Sequence, residues 1–224
     1  MKIEGAIFDL DGTLLDSMFI WDTIGEDYLR TRGIEPRENL NERFKNMSLY
    51  QAACYYQTEY GLTESTDTIM ADINDMIHDF YIGEVRPKMG VPQVLEELGR
   101  RKVKMCIATA TDRHLVEAAL GRLGLLSYFG DIFTCSSVGY GKDEPYIYNT
   151  AHSFLQTPKD VTWVFEDALY AVKTAKKAGY HVVGVFDRSS GHDAEIKSLA
   201  DIYIGSFKEM EDILNEKDTY NSRF

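Results

Sequence analysis

The chain has 224 residues, 44% of them hydrophobic and 27% charged, with a formal net charge of −12. That length buries a full core and suits one α/β domain carrying a smaller insert. The acidity repels nucleic-acid phosphates and no basic patch interleaved with aromatics offsets it, so nucleic acid is not an expected partner; a small phosphate still binds where a site brings its own lysine or metal.

Residues 5–10 form a short apolar run that predicts a strand, and the run ends on Asp9, Leu10, Asp11 and Gly12. Alternate residues of a strand share a face, so Asp9 and Asp11 start on the same side, and Gly12 lets the chain turn away beyond them. From residue 16 to residue 88 no strand-like run occurs. Trp21, Ile24 and Tyr28 fall on one helical face, and Ile69, Ile73, Met76, Ile77 and Phe80 on another, which predicts an all-helical insert. The aromatic-dense stretch 50–60 reads first as the core of that insert, with a base-stacking surface as the alternative.

Beyond the insert, apolar runs at 103–109, 161–165, 181–186 and 202–204 alternate with helical patterns. Two such patterns are Leu115, Val116, Ala119, Leu120 and Leu123, then Ala168, Ala171, Val172 and Ala175. This βα alternation predicts a doubly wound, Rossmann-like parallel sheet. The expected domains are an α/β core over 1–15 and 89–224 and a helical domain over 16–88. Residues 215–224 are polar with little periodicity and read as a loose tail.

Cys54, Cys106 and Cys135 are odd in number and far apart, which points to neither a disulfide framework nor a zinc site. His114, His152, His181 and His192 sit beside different elements and read as surface or boundary residues. No apolar run approaches a membrane span, and carboxylates stand where a secretory signal needs its apolar stretch. The expectation is a monomeric cytosolic protein with no membrane partner.

Three further strand ends carry polar residues that a parallel sheet brings toward Asp9 and Asp11, since ligands of such sheets bind at the carboxyl ends of the strands. Thr109 closes one buried run, with Thr111 or Asp112 available to cap the next helix and free N–H groups there suited to an anion. Gly139-Tyr140-Gly141-Lys142 places a point charge just before a helix that Pro145 helps start; a solvated loop lysine is the alternative. Glu166 and Asp167 end a strongly apolar strand. Buried carboxylates need a partner, and a divalent cation shared with Asp9 is the simplest, with helix capping by Asp167 the competing explanation.

These four segments together resemble the haloacid dehalogenase superfamily, in its branch with a helical cap inserted after the first strand. Asp9-Leu10-Asp11-Gly12-Thr13 matches its first motif, Thr109 the second, Lys142 the third and Glu166-Asp167 the fourth. The resemblance implies phosphoryl transfer with Mg2+ as cofactor. Asp9 is then the nucleophile that forms an aspartyl phosphate, and Asp11 the acid and base. Thr109, the Ala110 N–H and Lys142 hold the phosphoryl oxygens. Asp9, the Asp11 carbonyl and Asp167 hold the metal, with Glu166 acting through water. The helical insert becomes a cap that reads the leaving group, with Trp21, Tyr50 and Tyr55 as the candidate specificity residues.

Within the superfamily the chain is similar to the subgroup of β-phosphoglucomutase and related phosphatases. It departs from the mutase pattern at Trp21, where a histidine is expected, at Leu49, in place of a cap arginine, and near His78, where no cap lysine is found. Arg43 and Lys45 are the remaining candidates for a second phosphate site. Further departures from the family pattern are Asp143 after the motif-three lysine and Met89 before the core-entry glycine, Gly90. The expected activity is hydrolysis of a small phosphorylated metabolite, with a phosphomutase as the alternative and a non-catalytic metabolite sensor behind it.

Overall fold

The computed structural model describes residues 2–44, 47 and 49–221. The chain divides into two compact units, Met1–Ser17 with Val85–Phe224, and Met18–Glu84.

The first unit is an α/β sandwich. Its strands are β1 (Gly5–Phe8), β2 (Leu15–Asp16), β3 (Arg86–Pro87), β4 (Lys104–Thr109), β5 (Ile132–Thr134), β6 (Thr162–Glu166), β7 (His181–Val185) and β8 (Ile202–Ile204). Six of them form a parallel sheet in the order β5-β4-β1-β6-β7-β8, while β2 and β3 make a separate antiparallel ribbon. The order steps outward from β1 on one side, then restarts beside β1 on the other. That reversal opens a crevice at the carboxyl end of β1.

Strand β1 is apolar because it is covered on both faces: Ala6, Ile7 and Phe8 are fully buried. Phe8 pairs with Ile107 and Phe165, and its ring stacks on that of Phe165 at 4.3 Å. Flanking helices of this unit are α5 (Val91–Arg100), α6 (Arg113–Arg122), α7 (Cys135–Val138), α8 (Tyr146–Leu155), α9 (Leu169–Lys177), α10 (Asp193–Leu199) and α11 (Phe207–Asn221), numbered after the four of the second unit. The patterns expected to be helical bury Val116, Ala119 and Leu120 on α6 and Ala171, Val172 and Ala175 on α9. Gly90 caps α5 with φ at +91°, and a side chain there would lie 2.5 Å from the Lys208 nitrogen, so no other residue fits without displacement.

Residues 215–221 of the expected loose tail are helical, and the rest of it lies outside the described residues. Helix α11 runs to Asn221, anchored by buried Phe207, Met210 and Leu214 at helical spacing, with no glycine or proline after Phe207 to stop it.

The second unit is all-helical among its described residues: α1 (Phe19–Thr31), α2 (Leu40–Phe44), α3 (Leu49–Tyr60) and α4 (Thr66–Gly83). Helix α4 starts at Ser65, whose hydroxyl accepts the Thr68 N–H at 3.1 Å, and buries Ile69, Ile73, Ile77 and Phe80 along one face. Helices α1 and α3 meet through Tyr28 and Tyr56, whose rings lie 5.1 Å apart, and the Tyr56 hydroxyl donates to the Gly25 carbonyl at 2.7 Å. Trp21 departs from the buried face formed by Ile24 and Tyr28, being 50% exposed. No described helix is long and apolar enough to cross a membrane.

Candidate active site

The carboxyl ends of β1 and β6 bring together the most unusual chemistry in the molecule. Asp9 follows β1 and is tied to the sheet by its N–H, which donates to the Phe165 carbonyl at 3.0 Å. Its carboxylate is buried and bonded to the ammonium of Lys142, itself 3% exposed. Lys142 also donates to Glu166 Oε1 at 2.7 Å, and the Tyr148 hydroxyl donates to the same oxygen at 2.7 Å. Asp167 is held by the Thr13 hydroxyl, which donates to Oδ1 at 2.8 Å.

Charge is out of balance here. Asp9, Glu166 and Asp167 each bring a carboxylate oxygen within 4.8 Å of the others, against the single ammonium of Lys142. Burial, reinforced by Glu166, Asp167 and Asp11, holds the Asp9 carboxyl well above the usual carboxylate range in spite of Lys142. Burial and the neighbouring Glu166 push Asp167 up to about 7. Burial alone would lower Lys142, but Asp9 and Glu166 outweigh it and hold the ammonium charged.

The fully buried Glu166 Oε2 has no hydrogen-bond partner. A divalent cation fits this donor set, since three hard oxygens with one orphaned lone pair and excess negative charge are what such an ion neutralises.

Asp11 sits apart from that cluster in its bonding. Its Oδ1 accepts from the Ser17 hydroxyl at 2.6 Å and its Oδ2 from the Thr111 hydroxyl at 2.5 Å. Thr111 therefore orients a carboxylate, while Asp112, at the start of α6, makes no side-chain cap. Thr109 is buried at the end of β4, and its hydroxyl accepts the Thr111 N–H at 3.1 Å, which shapes the turn that carries Ala110. Asp167 does not cap α9, whose N-cap is Ala168.

A family model of the haloacid dehalogenase-like hydrolases matches residues 6–185. The chain belongs to that family. The chain is 27% identical over 205 residues to a validoxylamine A 7'-phosphate phosphatase of Streptomyces hygroscopicus subsp. limoneus, covering 92% of this chain and 94% of that one. It is 24% identical to the β-phosphoglucomutase of Bacillus subtilis, covering 89% and 92%. A solved β-phosphoglucomutase-like structure from Thermotoga maritima superposes with a TM-score of 0.85 at 23% identity, covering 96% of this chain and 99% of that one, which shows the shared fold.

In this haloacid dehalogenase-like hydrolase, Asp9, Lys142, Glu166 and Asp167 lie in one buried cluster, Asp11 lies on the turn after Asp9, and Thr109 ends the neighbouring strand β4. Sequence reading missed Thr13, Ser17, Thr111 and Tyr148, which orient the carboxylates. Thr13 lies inside the quoted first motif, so its position was a signal; Tyr148 sits on α8 with nothing in the sequence to separate it from core.

In the helical unit, Tyr50 is 57% exposed and Tyr55 half-buried, its ring 5.6 Å from that of Phe44. Tyr56 is the buried aromatic of the 50–60 stretch. Of the candidates for a second phosphate site, Arg43 is exposed, and Lys45 lies outside the described residues.

Proposed function

We propose that the chain is a Mg2+-dependent phosphatase of a small phosphorylated metabolite, working through an aspartyl phosphate on Asp9. The observation that carries the proposal is the buried Asp9 carboxylate at the crevice of the sheet, opposed by one lysine and crowded by two further carboxylates. Mg2+ would be held by Asp9, the Asp11 carbonyl and Asp167, with Glu166 reaching it through water, and would supply the positive charge that lets a carboxylate approach a phosphate dianion. Without such neutralisation two unit charges ~4 Å apart repel by about 4 kcal/mol at an effective dielectric of 20.

Asp9 forms the new bond to phosphorus as the ester bond to the leaving oxygen breaks. Asp11, whose carboxylate is aimed by Ser17 and Thr111, gives its proton to that oxygen and then takes one from the water that cleaves the aspartyl phosphate. Lys142 fixes the Asp9 side chain and offers charge to the phosphoryl oxygens. Thr109 and the Ala110 N–H hold the remaining oxygens. The helical unit, residues 16–88 in the sequence reading, acts as the cap that selects the leaving group, with Trp21, Tyr50 and Tyr55 as its contact residues.

A phosphomutase is the second reading, supported by the similarity to the Bacillus subtilis β-phosphoglucomutase. A mutase needs cations in its cap for a second phosphate. Three arginines of the helical unit are already engaged: Arg30 with Glu26 and Asp27, Arg32 with Asp72, and Arg37 with Glu59. That favours hydrolysis.

Phosphate release from p-nitrophenyl phosphate tests the proposal. It should require Mg2+, stop with EDTA, and fall by orders of magnitude in a folded Asp9→Asn variant. Activity unchanged after thorough chelation would remove the metal. With β-glucose 1-phosphate and a trace of the 1,6-bisphosphate, free phosphate should outpace glucose 6-phosphate; the reverse would establish the mutase.

A further inference from the structure

Lys88 follows β3 in the α/β unit and is partly buried, its side chain 14% exposed. Its ammonium donates to three acceptors: the carbonyl of Gly12, the carbonyl of Phe186 at 2.6 Å and the Asp187 carboxylate at 2.7 Å. An ammonium has three protons, so all are used. The Lys88 backbone N–H also donates to the Leu14 carbonyl at 2.9 Å.

Each partner lies one step from the site. Gly12 forms the turn directly after Asp11, at a φ of +74°, closed by its N–H on the Leu15 carbonyl at 3.0 Å. Asp187 is 5% exposed and accepts the Ser189 N–H at 2.9 Å, which orders the loop after β7. From that loop the Ser190 hydroxyl donates to the Asp167 carbonyl at 3.1 Å. Lys88 therefore fastens the turn carrying Asp9 and Asp11 to the loop that holds the main chain of Asp167.

The geometry points to Lys88, acting with Asp187, as a positioning residue for phosphoryl transfer: a largely buried clasp that sets the spacing between the two carboxylate-bearing turns without touching the reacting atoms. A buried ion pair is a poor source of stability, since apolar residues of similar size often replace one at no cost, so what the pair contributes here is geometry. The inference rests on the phosphatase reading for its activity arm, whereas its metal-binding arm stands by itself.

The test compares Lys88→Met, Asp187→Asn and the double variant Lys88→Met/Asp187→Leu with the unaltered protein. Two quantities are read: kcat and KM for p-nitrophenyl phosphate, and the Mg2+ concentration giving half of the maximal rise in Tm. Lys88→Met should lower kcat and raise the Mg2+ midpoint, each by about 10–100-fold, with KM changed by less than about threefold. Asp187→Asn, which keeps size and shape, should move both in the same direction by less, and carries the test if Lys88→Met does not fold.

The double variant separates positioning from packing. It removes the unpaired buried charge, so Tm should recover, while kcat and the Mg2+ midpoint should stay impaired because the Gly12 and Phe186 carbonyls still lack their donor. Recovery of all three together would overturn the inference, as would a folded Lys88→Met or Asp187→Asn protein with unaltered kcat and midpoint. If the unaltered protein releases no phosphate, the phosphatase reading fails by itself. The Mg2+ midpoint then decides the clasp, a shift supporting it and no shift overturning it.

Discussion

The two units bury different things. In the α/β unit the buried residues include Asp9, Thr13, Ser17, Thr109, Lys142, Glu166, Asp167 and Asp187, whereas the buried side chains described in the helical unit are aliphatic or aromatic, with tyrosine hydroxyls the polar exception. Burying charge is costly unless it is paired. In the phosphatase reading, these polar groups are where the chain gives up stability for chemistry. The helical unit keeps its charges at or near its surface and pairs them there, as with Arg30, Arg32 and Arg37, which is how a unit stabilised by ordinary packing is built.

The sharpest way to break this contrast is to remove the one cation in the carboxylate cluster. Lys142→Met leaves Glu166 and Asp9 facing each other without a counter-charge, which should cost about 3–5 kcal/mol in the metal-free protein and abolish turnover of every phosphate ester alike. Urea unfolding in EDTA checks the first part and a substrate panel the second. A variant as stable as the parent would mean that the cluster is not held by this lysine.

The helical unit should respond selectively. Substitution of Trp21, Tyr50 or Tyr55 by alanine is expected to change the ratio of kcat/KM between two sugar phosphates by about 10-fold while hydrolysis of acetyl phosphate stays near the parental rate. Equal losses on all substrates would return these aromatics to a purely structural role. Tyr56→Phe deletes only the hydroxyl on the Gly25 carbonyl and should lower stability by about 1 kcal/mol, measured by urea unfolding, with kinetics on acetyl phosphate unchanged.

The smallest effect is expected at a cluster of ion pairs around Glu97. On α5, the Arg100 guanidinium, with Arg101 and against a modest burial cost, holds the Glu97 carboxyl down at about 2. A depressed carboxyl stabilises the fold above its unfolded range, near 4.3, and that contribution is lost as pH falls through about 2. Glu97→Gln should therefore lower Tm at pH 7 by an amount worth about 1 kcal/mol or less, and the difference from the parent should vanish near pH 2. A difference that persists in acid would assign the effect to packing.

Much of this was legible in the sequence where a local pattern carried the signal. The β1, β4, β6, β7 and β8 strands were apolar runs of three to six residues with polar ends, and the covered faces of a parallel sheet produce such runs directly. Strand β5 was not legible, because its apolar run is only Ile132 and Phe133 before Thr134, whereas the equally short edge strand β8 is apolar throughout. The two-residue strands β2 and β3 are defined only by pairing with each other. The end of helix α11, residues 215–221, was read as a loose tail because it is polar with little periodicity of its own and continues a helix anchored earlier by Phe207, Met210 and Leu214.

The site divides the same way. Asp9, Asp11, Lys142, Glu166 and Asp167 stand at strand ends, where residue type and position speak together. The Lys88–Asp187 pair joins residues 99 positions apart, each ordinary in its own segment, and no periodicity reports a partner at that distance. Hydroxyl donors such as Thr111 and Ser17 were likewise visible only once folding had placed them on Asp11.

The central claim is that Asp9 becomes phosphorylated, and trapping that species tests it most directly. Borohydride added during turnover of p-nitrophenyl phosphate reduces an aspartyl phosphate to homoserine, which peptide mass spectrometry locates. Homoserine at position 9, absent without substrate and absent in Asp9→Asn, is the result the account predicts. Continued phosphate release with position 9 unmodified, or with the modification at another carboxylate, would contradict it.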